Sequence, residues 1–236
     1  MTPTERARQP AEPGNAAGTT TGVGLRSVGI FGGTFDPIHN GHMGLLRSAL
    51  AELPLDEIVV VPAGSPPHKQ GRPISDAVHR LAMVELAVAD APRVSVDRVE
   101  IDRDGPSYTV DTVAALVDIA AGLGSPIAPT VILSADAFAE LPTWHEPDRL
   151  VRLARFAIAP RRGHPPADIG PVVRALPGLA GRVHRFEGPD LDVSASRIRV
   201  RVAAGLPIDD LVPAAVAAYI AAHHLYRDIE RRASRT

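Results

Sequence analysis

The 236 residues are 45% hydrophobic and 22% charged, which is enough apolar material for one globular core. A formal net charge of −2 offers no bulk polycation for nucleic acid, and the lack of cysteine excludes disulfides and thiol catalysis. No apolar run is long enough to span a membrane, so the expectation is a soluble, cytoplasmic protein without membrane or nucleic-acid partners.

Residues 1–24 are rich in Pro, Gly, Thr and Ala, show no apolar periodicity, and read as a disordered N-terminal tail. Short β-branched and apolar runs follow at Ser27–Phe31, Glu57–Val61, Val94–Val96 with Val99–Ile101, Thr130–Leu133, Arg155–Ala159 and Val183–Phe186. Helical patterns lie between them, at His42–Glu52, Asp76–Ala89, Thr109–Ala121, Ala135–Leu141, Asp148–Leu153 and Ile169–Ala175. This alternation predicts an α/β fold over residues 25–189: a Rossmann-like, doubly wound, mostly parallel sheet covered on both faces. From residue 190 the strand signal stops. Ser194–Ala204 and Pro213–His223 read as two helices, a small C-terminal helical part (190–226) of the same domain, followed by a polar tail, 227–236.

Ligands of such sheets sit at the carboxyl ends of strands. The first strand ends in Gly32-Gly33-Thr34-Phe35, and His39 and His42 follow at the start of an amphipathic run. Paired glycines let backbone N–H groups approach an anion, and a helix N-terminus adds donors and partial positive charge. The two histidines add donors able to carry charge near neutral pH, although each alone reads equally well as a helix-start residue. A zinc pair finds no HExxH frame and no cysteine to complete it, and neither GxGxxG nor a Walker motif is present.

After the second strand, a Pro-stiffened loop presents His68 and Lys69. Of 25 basic residues only Lys69 is a lysine, which reads either as a place for a compact ammonium or as leftover composition on an exposed loop. Ser107 reads as the N-cap of the helix beginning at Thr109, with Asp111 in its first turn. Asp136, after the fourth strand, reads as an acceptor for ribose hydroxyls, a holder of metal-bound water, or a cap. Trp144, the only tryptophan, has polar neighbours including His145, and reads as core or as an aromatic stacking face. Arg161 stands in a basic turn. Val193-Ser194-Ala195-Ser196-Arg197-Ile198-Arg199 opens a second helix with two hydroxyls in its first turn and Arg199 one turn on, which suits phosphate binding.

Gly32 to His42 resembles the signature of the nucleotidyltransferase superfamily with the HxGH motif, and more closely that of the bacterial nicotinate-nucleotide adenylyltransferases. The resemblance runs from about Ser27 to Tyr226. It takes in the loop ending at Lys69, the SYTxDT segment at Ser107–Thr112, Trp144-His145, the Arg161 turn, and Val193–Arg199, which is similar to the second signature Ile-Ser-Ser-Thr-x-Ile-Arg. Ser134 stands where the family usually has Gly.

The resemblance implies transfer of AMP from ATP to nicotinate mononucleotide, giving deamido-NAD and pyrophosphate, in NAD biosynthesis. It implies an ATP site of Gly32, Gly33, Thr34, Phe35, His39, His42, Arg161, Ser194, Ser196 and Arg199. It implies a mononucleotide site of Lys69, Thr109, Asp136, Trp144 and His145, with Thr109 meeting the nicotinate carboxylate through main-chain groups. His39, His42 and Lys69 take the catalytic roles. Mg²⁺ arrives on the ATP phosphates, with no metal ligand assigned to the protein. Nicotinamide mononucleotide or phosphopantetheine as acceptor, and a non-catalytic nucleotide-binding regulator, stay open as alternatives. So do the oligomeric state, a homo-oligomer included, and the degree of preference between the acid and the amide.

Overall fold

The structure, a computed structural model, describes residues 25–66, 74–160, 168–188 and 193–227. The expected tail at 1–24, the site residues Lys69 and Arg161, and positions 228–236 lie outside the described residues.

Six strands form one sheet: β1 (Arg26–Gly33), β2 (Glu57–Pro62), β3 (Val94–Val96), β4 (Ile127–Ser134), β5 (Arg155–Ala159) and β6 (Val183–Arg185). Their order is β3-β2-β1-β4-β5-β6 and every pairing is parallel, with Val28 opposite Glu57 and Arg26 opposite Ile127. The winding reverses between β1 and β4, so the crevice at their carboxyl ends is the expected ligand position. Among the described residues, eight α-helices connect or follow the strands: α1 (Asn40–Glu52), α2 (Ala77–Val88), α3 (Thr109–Gly122), α4 (Ala135–Ala139), α5 (Pro147–Leu153), α6 (Gly170–Ala175), α7 (Ala195–Ala203) and α8 (Ala214–Ala222).

Residues Val28 to Phe31 of β1 are all buried, as expected of a central parallel strand covered on both faces. Successive side chains go to opposite sides. Phe31 joins Met43, Leu46, Met83, Ile198, Val216 and Ile220 in one apolar cluster. Ile30 joins Val110, Val113, Phe138, Leu150 and Phe156 in the other. The two last helices therefore contribute to the core on the α1 and α2 side. No described helix is long and apolar enough to cross a membrane.

The expected strand Val99–Ile101 is instead a turn, with Ile101 N donating to Arg98 O (2.8 Å). The reason is local. The carboxylate of Asp97 accepts from Val99 N (2.8 Å), an Asx turn that diverts the backbone from the ladder. Leu141 also leaves its expected helix for a short 3₁₀ turn, Leu141–Thr143, where Pro142 cannot continue the α pattern.

Candidate active site

The site begins where β1 ends. Gly32 is exposed, and a Cβ there would meet nothing within 4 Å, so its backbone faces open space. Gly33 is the opposite case: a Cβ would lie 2.8 Å from the Phe35 ring. Phe35 itself takes a left-handed backbone (φ 49°) and packs edge-on against His42, with ring centroids 5.2 Å apart. A sharp turn thus delivers the chain to the start of α1.

The histidines form a reciprocal cap there. His39 is the N-cap of α1, and its Nδ1 accepts from His42 N (3.4 Å). His42 Nδ1 accepts from His39 N (3.2 Å). The rings stack at 3.7 Å between centroids, tilted by 17°. With each Nδ1 an acceptor, the neutral tautomer of both residues carries its proton on Nε2. Burial lowers the His39 pKa to about 4, despite a raising contribution from its own backbone hydrogen bond. This corrects the expectation of a chargeable donor at position 39: His39 is a neutral Nε2–H donor at pH 7.

The second helix start lies against the first. Ser194 is the N-cap of α7, its Oγ accepting from Arg197 N (3.3 Å). Arg199 donates from Nη2 to Ser196 Oγ (3.3 Å) and from Nη1 to the carbonyl of Asp36 (2.7 Å). Asp36 is buried, and its carboxylate accepts from Tyr226 OH (2.7 Å) and Ser75 N (3.3 Å).

Beside the β1 turn lies a cavity of about 160 Å³ that brings Gly32, Gly33, Thr34, Thr109 and Trp144 together, with Glu100, Ser107 and Thr112 in the same wall. Trp144 is half-buried and packs against the β4–β5 cluster, so the core and stacking readings are compatible. His145 does not line the cavity. It is exposed and stacks on Tyr108, with centroids 4.2 Å apart. Asp136 is exposed in the first turn of α4 and does not cap it. That cap is Ser134, whose Oγ accepts from Ala137 N (3.3 Å), which gives the hydroxyl in place of glycine a local role.

Three further residues organise the site: Ser107, which the sequence reading gave another role, and Arg80 and Glu100, which escaped it. Ser107 is not the cap of α3; that position belongs to Tyr108, without a side-chain bond. Ser107 Oγ instead accepts from Gly64 N (3.0 Å) and Ser65 N (3.1 Å), pinning the root of the loop after β2. Arg80 is almost fully buried, and its fork donates to the carbonyls of Ser75 (2.9 Å), Thr34 (2.9 Å) and Gly64 (3.1 Å). It ties the turns after β1 and β2 to the approach to α2. Its burial lowers its pKa, opposed by Asp36, Tyr226, Glu100 and Asp76. The available signal was its place on the buried stripe with Val84 and Val88. Glu100, also buried, accepts from Thr112 Oγ1 at 2.6 Å.

Among the described residues no three His, Asp or Glu side chains converge as a protein-held metal would require.

The chain matches the cytidylyltransferase-like family over residues 30–201. It is 45% identical over 200 residues to a probable nicotinate-nucleotide adenylyltransferase of Roseiflexus sp. (strain RS-1), covering 85% of this chain and 98% of that protein. A protein of the same description from Thermomicrobium roseum is 41% identical over 206 residues, covering 87% and 94%. The nicotinic acid mononucleotide adenylyltransferase of Plasmodium falciparum complexed with NaAD superposes with a TM-score of 0.67 over 85% of this chain and 97% of that one. At 21% identity, that likeness bears on the fold.

Proposed function

We propose the following chemistry for a chain that belongs to the nicotinate-nucleotide adenylyltransferase family of the cytidylyltransferase-like proteins: AMP passes from ATP to nicotinate mononucleotide, giving deamido-NAD and pyrophosphate, a step of NAD biosynthesis. The nucleophile is the mononucleotide's own phosphate. Its second pKa is about 6, so it is mostly ionised at neutral pH and needs no protein base. Catalysis is then positioning plus stabilisation of charge on the α-phosphate and the leaving pyrophosphate.

In this proposal His39 and His42 donate from Nε2 to the reacting phosphates. The open backbone at Gly32 lets the nucleotide approach closely, with Gly33, Thr34 and Phe35 forming the turn behind it. Ser194, Ser196 and Arg199 receive the leaving group at the start of α7. Trp144 offers its face to the pyridine ring, and the first amides of α3, around Thr109, address the carboxylate. Asp136 and His145 act at the rim, Lys69 steadies a phosphate, and Arg161 borders the nucleotide. Mg²⁺ on the ATP phosphates supplies further neutralisation of charge. Cytoplasmic residence is part of the same proposal, since both substrates are charged phosphates that cross an apolar layer only at high cost.

The observation that supports this reading most directly is the contact of Arg199 Nη1 with the Asp36 carbonyl (2.7 Å). Spanning 163 residues of sequence, it ties the turn leading into α1 to the first turns of α7, as a triphosphate gripped from both ends requires. The test is pyrophosphate release with ATP and Mg²⁺, comparing nicotinate and nicotinamide mononucleotides. Release with the acid substrate is expected, and His42→Ala should lower turnover by about 100-fold or more while ATP still binds. Turnover within a few-fold of wild type would remove His42 from the mechanism.

A further inference from the structure

We propose that Glu100 is a specificity-determining residue of the pyridine cavity: its carboxylate moderates the preference for an acidic over an amidated ring, so neutralising it sharpens that preference. The inference rests on the adenylyl-transfer reading above.

Glu100 is 6% exposed, yet lines the same cavity as Thr109 and Trp144. One carboxylate oxygen, Oε1, accepts from Thr112 Oγ1 at 2.6 Å, in the first turn of α3. That helix start favours an anion, through its unpaired amides and its dipole. The cavity wall therefore carries two opposed influences on a ring carboxylate, attraction from α3 and repulsion from Glu100. A carboxamide, which is neutral and carries N–H donors, does not meet that repulsion.

The compensating cation is set further back. Arg80 spends its donors on the carbonyls of Ser75, Thr34 and Gly64 and is not part of the cavity wall. Gly64 lies between the two charged residues. Its carbonyl accepts from Arg80 Nη2, while the Glu100 carbonyl sits 2.0 Å from where a Gly64 Cβ would be. The Arg80 guanidinium and the Glu100 main chain thus meet at one glycine, and Asp36, with Glu100 as a smaller contributor, offsets the field of a buried guanidinium that forms no carboxylate salt bridge within 4.0 Å among the described residues. At short range in a poorly solvated wall, the nearer charge has the larger effect on a ligand. Here that charge is negative.

Glu100→Gln removes the charge while keeping an oxygen that can accept from Thr112. The experiment measures kcat/KM for nicotinate and nicotinamide mononucleotides in the wild-type chain, in Glu100→Gln, and in Glu100→Ala as a second neutral variant. The acid-to-amide ratio cancels any loss of folded enzyme, which a merely structural role would affect alike for both substrates. The ratio should rise about fivefold or more in both neutral variants, and should stay within about twofold of wild type in Glu100→Asp. An unchanged or lowered ratio in the neutral variants overturns the inference while leaving the adenylyl-transfer reading intact. A wild-type chain that turns over neither mononucleotide overturns that reading, and this inference with it.

Discussion

His39 uses both faces of its chemistry at once. Nδ1 caps α1 by accepting from His42 N, which leaves Nε2–H as the ring's remaining donor. Burial strips water from the imidazolium and disfavours the charged form, which is why the folded pKa drops to about 4 from 6.5. The sign follows directly. Between those values the unfolded chain binds a proton that the folded chain does not, so folding stability is full above pH 6.5 and is lost as the pH falls towards 4. The loss amounts to at most roughly 3 kcal/mol. His39→Asn keeps a capping acceptor and cannot titrate. Urea unfolding of wild type and His39→Asn across this range should show the wild type losing ground as the pH falls. A stability difference independent of pH would refute the buried, neutral assignment. Gly41 belongs to the same arrangement: a Cβ there would lie 3.1 Å from His39 Nδ1, crowding the ring that caps the helix.

Among the elements, the start of α3 shows how one helix terminus can build a pocket wall without a side-chain cap. Ser107 turns away from the helix and accepts two amide protons from Gly64 and Ser65, while its own N–H donates to Ser65 O (3.0 Å). The loop after β2 and the N-terminus of α3 thereby become one wall of the cavity. Ser107→Ala would leave the partly buried Gly64 amide without its acceptor, at a cost of about 1–3 kcal/mol, while the exposed Ser65 amide turns to water. It should raise the KM for the mononucleotide more than the KM for ATP, because it loosens that wall and leaves the α1 cap untouched. Equal effects on both substrates in steady-state kinetics would show that the contact acts on the whole site.

For the molecule as a whole, closure comes from the C-terminal part returning to the first motif. Asn40 N donates to Leu211 O (2.8 Å), and its side chain donates to Asp210 O (3.0 Å). Tyr226 donates to Asp36, and burial pushes the phenol pKa well up, so it stays a protonated donor. Tyr226→Phe strips one partner from a buried carboxylate oxygen and should cost about 1.5–3 kcal/mol in urea unfolding. A loss below about 0.5 kcal/mol would mean that the carboxylate finds another partner. The variant should also weaken ATP affinity, since the same Asp36 receives Arg199 through its carbonyl.

The alternating strand and helix pattern was legible because parallel strands buried on both faces are continuous apolar runs, as Val28–Phe31 and Ile58–Val61 show. Where the sequence misled, at Val99–Ile101, the side chain of Asp97 had taken the backbone out of the ladder. The candidate site was legible where its residues are neighbours in the chain: His39 and His42 share one helical turn, as do Ser196 and Arg199. The sequence alone determined the order of elements and these two helix starts, because both depend on interactions within a few residues. Only the tertiary structure decided that His39 is neutral, that Ser107 anchors a loop, and that Arg80, Glu100 and the Asp36–Tyr226 pair organise the site. Their partners lie on other elements, and burial, which sets the state of a charged or polar group, exists only once the chain has folded around it.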